Sequence, residues 1–256
     1  MIMDIGSLEK IASGATADVF VLDETKVIKV FYEKIDNTLI ENEFKVNKLV
    51  QSYGIRAPNA YELVNYGNQK GVVFQRLNNF TLKEEISKNL INYAEYASFL
   101  AREHIKINDV SDHLFGLSDQ KKSYVKYINS RTSIDENCKN KLIERLNSFP
   151  ENDKVCHGDF HPGNILYDDN EAFVIDWLGA TRGNPFADAA GSYLIMKITG
   201  AGLFADAYIK EYISISNAHM CEIDKWIPIR AATYLDFGLP NEINNELKKL
   251  IYDSTK

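Results

Sequence analysis

The chain is short of cysteine. Cys138, Cys156 and Cys221 are an odd set with no CxxC spacing. They offer neither a disulfide framework nor a cysteine-based zinc site, and they fit a reduced, cytoplasmic protein. Long apolar runs are also missing. The most apolar stretch, residues 187–208, is broken by Asp188, Lys197 and Asp206, so no membrane-spanning helix is expected. The opening M-I-M-D-I-G-S-L-E-K lacks the order of a signal peptide. Neither an internal repeat nor a low-complexity tract is present. Basic residues are in the minority, 29 Lys and Arg against 36 Asp and Glu, for a net charge of −7. That argues against a nucleic-acid partner and is compatible with a cationic small molecule. Histidine is sparse too: after His161 only His219 follows.

What the chain does have is 256 residues, 45% of them hydrophobic, enough for one large or two small cores. Its polar chemistry is concentrated in residues 155–179. Val155-Cys156 reads as a short strand that stops at His157-Gly158-Asp159, and Pro162-Gly163 forbid a helix. Asn164-Ile165-Leu166-Tyr167 reads as a strand, Asp168-Asp169-Asn170 as a turn, and Ala172-Phe173-Val174-Ile175 as the returning strand. The hairpin brings Asp176 back near Asn164, with Asp159 in the loop just before. Three oxygen-bearing side chains are thereby expected to converge without a hydrophobic reason. One carboxylate and one amide suit Mg²⁺, which keeps several waters and takes phosphate oxygens. A second carboxylate can accept a hydroxyl proton.

The spacing His157-x-Asp159-x-x-x-x-Asn164, followed by Asp176-Trp177-Leu178-Gly179, matches the catalytic loop and metal-binding acid of the kinase template. With the wording H-G-D-F-H-P-G-N-I-L and I-D-W, the chain resembles the aminoglycoside phosphotransferase and choline kinase-like family, a small-molecule branch of the protein kinase-like fold. The resemblance implies a two-lobed α+β fold. Residues 1–77 would form a small antiparallel-sheet lobe that binds the nucleotide. Residues 78–256 would form a mostly helical lobe for catalysis and acceptor binding. The implied reaction moves the γ-phosphoryl group of ATP, or GTP, to a hydroxyl of a small molecule that is aminoglycoside-, choline- or sugar-like. Asp159 would orient and deprotonate that hydroxyl, and Asn164 and Asp176 would hold Mg²⁺. His157 is expected to hold the loop in place; His161 has no assigned role.

Residues 8–21 read as two strands around a turn. Aligned on the glycine-rich pattern of kinases, only Gly14 is kept, but small neighbours still allow close approach of a nucleotide. Ser13 and Thr16 could add hydroxyl donors. Residues 25–31 form the next strand, and Lys29 fits the template position that holds the α/β-phosphates. Residues 37–52 read as a helix. With Leu39 set to zero, Glu43 falls at about 40° on the helical wheel, inside the apolar arc of Val46, Val50 and Ile40. A glutamate on a buried face needs a cation, and Lys29 is the natural one. Residues 61–64 and 71–77 read as a strand pair. By the resemblance, adenine would bond the Gln75 carbonyl and the Leu77 N–H.

Beyond Leu77 the expected helices cover residues 81–88, 90–107, 118–130, 134–147, 189–198, 204–214, 219–237 and 241–253. Thr81 and Glu84 make a capping box. Tyr93, Ala94, Ala97, Leu100, Ala101 and His104 share one face, with His104 read as a core histidine. Asp188 would brace the catalytic loop or cap its helix. Asp206, Glu222, Asp224 and Asp236 are acidic candidates for a cationic acceptor. Pro185 follows Asp176 too closely for the long segment with which protein kinases hold a peptide, which favours a small acceptor. Two other readings remain. One is a metal-dependent phosphoesterase using His157, Asp159 and His161; the other is a non-catalytic nucleotide-binding module.

Overall fold

The structure is a computed structural model and describes residues 8–14, 16–66, 69–77, 80–113, 116–168 and 171–255. In chain order the strands and α-helices are β1 Lys10–Ser13, β2 Ala17–Val21, β3 Lys26–Phe31, α1 Asn37–Ser52, β4 Ala60–Tyr66, β5 Gln69–Gln75, β6 Phe80–Thr81, α2 Leu82–Lys88 and α3 Tyr93–Asn108. There follow β7 Ser118–Asp119, α4 Gln120–Ser130, α5 Glu136–Ser148, β8 Lys154–Cys156, β9 Ile165–Asp168, β10 Glu171–Val174 and β11 Thr181–Gly183. Helices α6 Pro185–Ile198, α7 Gly202–Ser216, α8 Met220–Asp224, α9 Ile227–Tyr234 and α10 Asn241–Ser254 complete the chain.

These elements fall into two compact units. The first holds the described residues up to Glu84 together with Gly163–Leu178. Its main sheet has the order β1-β2-β3-β5-β4, and every pairing is antiparallel. Alternation along β3 sorts its side chains between two faces. Phe31 joins Ala17, Ile40, Ala60 and Val72 in a cluster on the α1 side, whereas Ile28 and Val30 pack with Val73 on the other. Lys29 shares the parity of Phe31, so it points toward α1. Asp36 caps α1 by accepting the Thr38 N–H at 2.7 Å, and Gly54, with φ +81°, lies just past its end.

The single boundary expected at Leu77 differs from this division. Glu84 lies inside α2, and the hairpin of β9 and β10 groups with the first unit. The cause is pairing: β6 lies antiparallel to β9, with Phe80 opposite Tyr167 and Thr81 opposite Leu166. The Val174 N–H also bonds the Arg56 carbonyl at 2.9 Å. The turn expected at Asp168-Asp169-Asn170 falls partly on residues 169–170, outside the described ones.

The second unit is mostly helical. It carries a small sheet in which β11 lies between β7 and β8. Leu100, Ala101, Tyr208 and Tyr212 are buried where α3 meets α7. Three expected helices differ in form. Residues 90–92 make a 3₁₀ turn before α3, and Tyr93 at its start is 40% exposed. Ser118 and Asp119 pair as β7 before α4 begins. Residues 219–237 split into α8 and α9, because Pro228 is tolerated only in the first turn of a new helix.

Candidate active site

Within the first unit, Lys29 and Glu43 meet as the helical wheel implies. Lys29 Nζ donates to Glu43 Oε1 at 2.7 Å and to Asp176 Oδ1 at 3.0 Å. Glu43 is 2% exposed. Leu39, the reference point of that wheel, is exposed; Ile40, Val46, Asn47 and Val50 form the buried face with Glu43. Burial works against a charged Lys29, but the carboxylates of Asp176 and Glu43 outweigh it and push its pKa up to about 12. Burial pushes the Glu43 carboxyl up, opposed by the Lys29 charge. Glu43 Oε2 is one of the buried oxygens without a hydrogen-bond partner among the described residues.

Asn164 and Asp176 stand at one end of the β9–β10 hairpin. The Ile175 N–H donates to the Asn164 carbonyl at 3.0 Å, which closes that end of the ladder. Asn164 is buried. Asp176 has φ +65°, a left-handed conformation that aspartate and asparagine adopt more readily than most residues. A carboxylate and an amide at the same hairpin end form an all-oxygen donor set suited to Mg²⁺.

The other nucleotide candidates are placed less decisively. Ser13 Oγ donates to Asp18 at 2.5 Å, so its hydroxyl hydrogen is committed inside the β1–β2 turn. Tyr32 donates its hydroxyl to the Gly14 carbonyl at 3.1 Å. The Thr16 carbonyl accepts the Tyr32 N–H at 3.0 Å. Gln75 ends β5, and its side-chain oxygen accepts from Asn59. Leu77 follows β5 outside any strand or helix.

Asp159 lies in the second unit, in the loop after β8. Backbone bonds to Asp188 hold this loop: Oδ2 accepts the His157 N–H at 2.6 Å and Oδ1 the Gly158 N–H at 2.8 Å. The same carboxylate meets His104 Nε2 at 2.9 Å, and Tyr208 bonds His104 Nδ1 at 2.7 Å. Burial works against the Asp188 carboxylate, yet His104, His157 and Arg230 hold it far below its usual range. His157 Nδ1 accepts the Asp159 N–H at 3.2 Å, which puts the proton of a neutral ring on Nε2. His161 Nε2 is 3.6 Å from Asp159 Oδ2. Burial tends to raise the Asp159 carboxyl, but the His161 hydrogen bond and charge, with His157 and Arg230, leave it lowered. It is therefore ionised at neutral pH and able to accept a proton.

Two demands of this loop, the steric one at Gly158 and the anchoring by Arg230, were not expected from the sequence. Gly158 has φ +87°, and a Cβ there would sit 2.2 Å from the Gly179 carbonyl oxygen. Arg230, on α9, is 3% exposed and donates to the Gly158 carbonyl at 2.6 Å. The glycine could have been noticed as a turn residue. Nothing local marks Arg230 apart from other charges on amphipathic helices.

The family model for the phosphotransferase enzyme family matches residues 7–222. The chain belongs to this family. No curated protein matches the sequence. Solved structures similar to this phosphotransferase include a thermostable mutant of aminoglycoside phosphotransferase APH(4)-Ia in ternary complex with AMP-PNP and hygromycin B. That likeness has 13% identity and a TM-score of 0.71 over 97% of this chain and 93% of the other. Amicoumacin kinase hAmiN, in complex with AMP-PNP, Ca²⁺ and Ami, has 12% identity and a TM-score of 0.67 over 99% and 89%. ADP-bound aminoglycoside phosphotransferase APH(2'')-Ib has 17% identity and a TM-score of 0.58 over 96% and 92%. These likenesses establish the kinase-like α+β fold. The phosphoesterase alternative would need His157, Asp159 and His161 to converge on a metal. In this phosphotransferase His157 Nδ1 is engaged by the Asp159 N–H instead, and among the described residues no group of three or more His, Cys, Asp or Glu is arranged to hold a metal. Membership of an enzyme family favours catalysis over a non-catalytic module. No described helix is long and apolar enough to cross a membrane.

Proposed function

We propose that this phosphotransferase moves the γ-phosphoryl group of ATP to a hydroxyl of an aminoglycoside-, choline- or sugar-like small molecule. The observation that carries the reading is Lys29 held between Glu43 and Asp176. A lysine aligned by a buried glutamate is what the α/β-phosphates of a bound nucleotide require. Asp159 takes the acceptor hydroxyl proton, and its lowered pKa keeps it in the basic form. Asn164 and Asp176 would hold Mg²⁺, which when bound with the nucleotide neutralises phosphate charge. Ser13, Gly14 and Thr16 line the nucleotide phosphates, and the backbone of Gln75 and Leu77 meets the base. Relatives solved with AMP-PNP or ADP support the choice of an adenine nucleotide. Those solved with hygromycin B or Ami support a small-molecule acceptor. The net charge of −7 favours an acceptor bearing amines.

The test incubates the protein with Mg-ATP and a panel of hydroxylated amines, sugars and antibiotics, with mass spectrometry for an added phosphoryl group. A product formed by the native protein and lost with Asp159→Asn is the expected result. A product that persists in Asp159→Asn would remove Asp159 from its role. Absence of Mg-dependent nucleotide binding, of product and of ATP hydrolysis would overturn the whole reading.

A further inference from the structure

The feature that the reaction leaves unused is a buried cation behind the catalytic loop. Arg230 donates to three acceptors: Nη1 to the Tyr124 hydroxyl at 3.0 Å, and Nη2 to the Tyr234 hydroxyl at 2.7 Å and the Gly158 carbonyl at 2.6 Å. Its Nε has no hydrogen-bond partner among the described residues. A guanidinium stays charged inside a protein, and burying it is costly without a bonded carboxylate. Here its acceptors are two phenols and one peptide carbonyl. Tying α9 to a loop could be done with a neutral donor at lower desolvation cost.

The surroundings are shaped for this contact. Gly191, inside α6, is where a Cβ would lie 2.3 Å from Arg230 Nε. Glycine weakens a helix interior, so its presence there makes room that alanine would deny. Gly158 has its own steric demand, since a Cβ would meet the Gly179 carbonyl. The two links of Gly158 are then held from opposite sides: Asp188 accepts its N–H and Arg230 binds its C=O. Asp159 is the next residue, and its own N–H is bonded to His157.

We infer that Arg230 is a positioning residue for Asp159, fixing the peptide between Gly158 and Asp159 so that the carboxylate is presented in one orientation. The inference rests on the proposed role of Asp159 as the base. Arg230 is buried and directs its donors at Tyr124, Tyr234 and the Gly158 carbonyl, so it acts through the loop backbone. Loss of its bond releases the carbonyl end of that peptide, whose N–H end stays on His157, and an ångström of misplacement at a reacting group can cost about 100-fold in rate.

The experiment compares the native protein, Arg230→Met, Arg230→Lys and Gly191→Ala. Each is measured for thermal unfolding, for affinity toward Mg-AMP-PNP, and for kcat and KM in the Mg-ATP reaction with the acceptor panel. Arg230→Met is expected to lower kcat by about tenfold or more while KM for ATP and Mg-AMP-PNP affinity stay within about twofold. Arg230→Lys, which can still reach one carbonyl, is expected to recover part of kcat. Should Arg230→Met fail to fold, Gly191→Ala carries the test, because it displaces the guanidinium while improving the helix. A folded Arg230→Met or Gly191→Ala with native kcat overturns the inference and leaves the phosphotransferase reading standing. A native protein without Asp159-dependent turnover overturns the reading itself, and the inference with it.

Discussion

Lys29 Nζ lies 3.0 Å from Asp176 Oδ1, joining two residues separated by 147 positions in the chain. The bond gives Asp176 a cation and Lys29 a second anion beside Glu43. It explains why a lysine this buried stays charged: two carboxylates outweigh the desolvation penalty. The strand, the helix and the hairpin of the first unit each contribute one member.

Removing the cation tests the triad. Lys29→Met leaves Glu43 buried and unpaired, which is expected to cost about 3 kcal/mol of stability. It is also expected to lower kcat/KM for ATP by about 100-fold. In Lys29→Met/Glu43→Leu the stranded charge is gone, so stability should partly return while turnover stays low. Urea unfolding and steady-state kinetics read the two effects separately. Equal stability of Lys29→Met and the native protein would mean that Glu43 is not charged in the fold.

Asp176 separates chemistry from strain. Asparagine tolerates the left-handed backbone nearly as well as aspartate, so Asp176→Asn should keep the fold within about 1 kcal/mol. It removes the charge that meets Lys29 and would meet Mg²⁺. Turnover should fall by about 1,000-fold and demand a higher Mg²⁺ concentration. A magnesium titration of the activity is the measurement. An unchanged midpoint would take Asp176 out of the metal site.

Much of this was legible because local rules leave few choices. Periodicity placed Glu43 on the buried face of α1, and a buried glutamate needs a cation, so Lys29 followed. Loop residues between two short apolar runs fixed the hairpin that ends at Asp176. Other features depend on partners distant in sequence. The pairing of β6 with β9, which assigns the hairpin to the first unit, leaves no local mark in Phe80-Thr81. Arg230 reads like any charge on an amphipathic helix until its three acceptors are known. The proposed acceptor acids are a related case. Asp206 pairs with Lys197 at 2.9 Å, Glu222 accepts the His219 N–H at 2.9 Å, and Asp236 accepts the Thr132 and Ser133 N–H groups. Spacing alone could not reveal that these three are already engaged, Asp236 by residues 104 and 103 positions away.

Asp188 gives the fold a pH dependence. Its carboxyl is held below the ordinary value of 3.8 by His104, His157 and Arg230, which overcome its burial. A depressed folded pKa contributes stability that is fully present above the unfolded value and is lost as pH falls through the lower folded one. Asp188→Asn can accept only one of the two loop N–H bonds and should lose about 3 kcal/mol at neutral pH. The gap between native and variant should stay constant from about pH 7 to 5 and narrow below about pH 4. Unfolding curves across that range test the sign. A gap that widens toward acid would contradict it.

Gly158 separates backbone strain from steric contact. Gly158→Ala faces both: a φ of +87° and a Cβ 2.2 Å from the Gly179 oxygen. Gly238, also in the second unit, has φ +76° with nothing within 4 Å of its Cβ position. Gly238→Ala should therefore cost only the left-handed penalty, about 1 kcal/mol. Gly158→Ala adds the displacement of a peptide in the loop that carries Asp159. Its cost should reach about 3 kcal/mol or more, with turnover falling by about tenfold or more. Urea midpoints for the two variants, with kcat beside them, decide the matter. Equal losses of stability would mean that the loop yields to the added methyl, and the close packing of Gly158 on Gly179 would then have no part in holding Asp159.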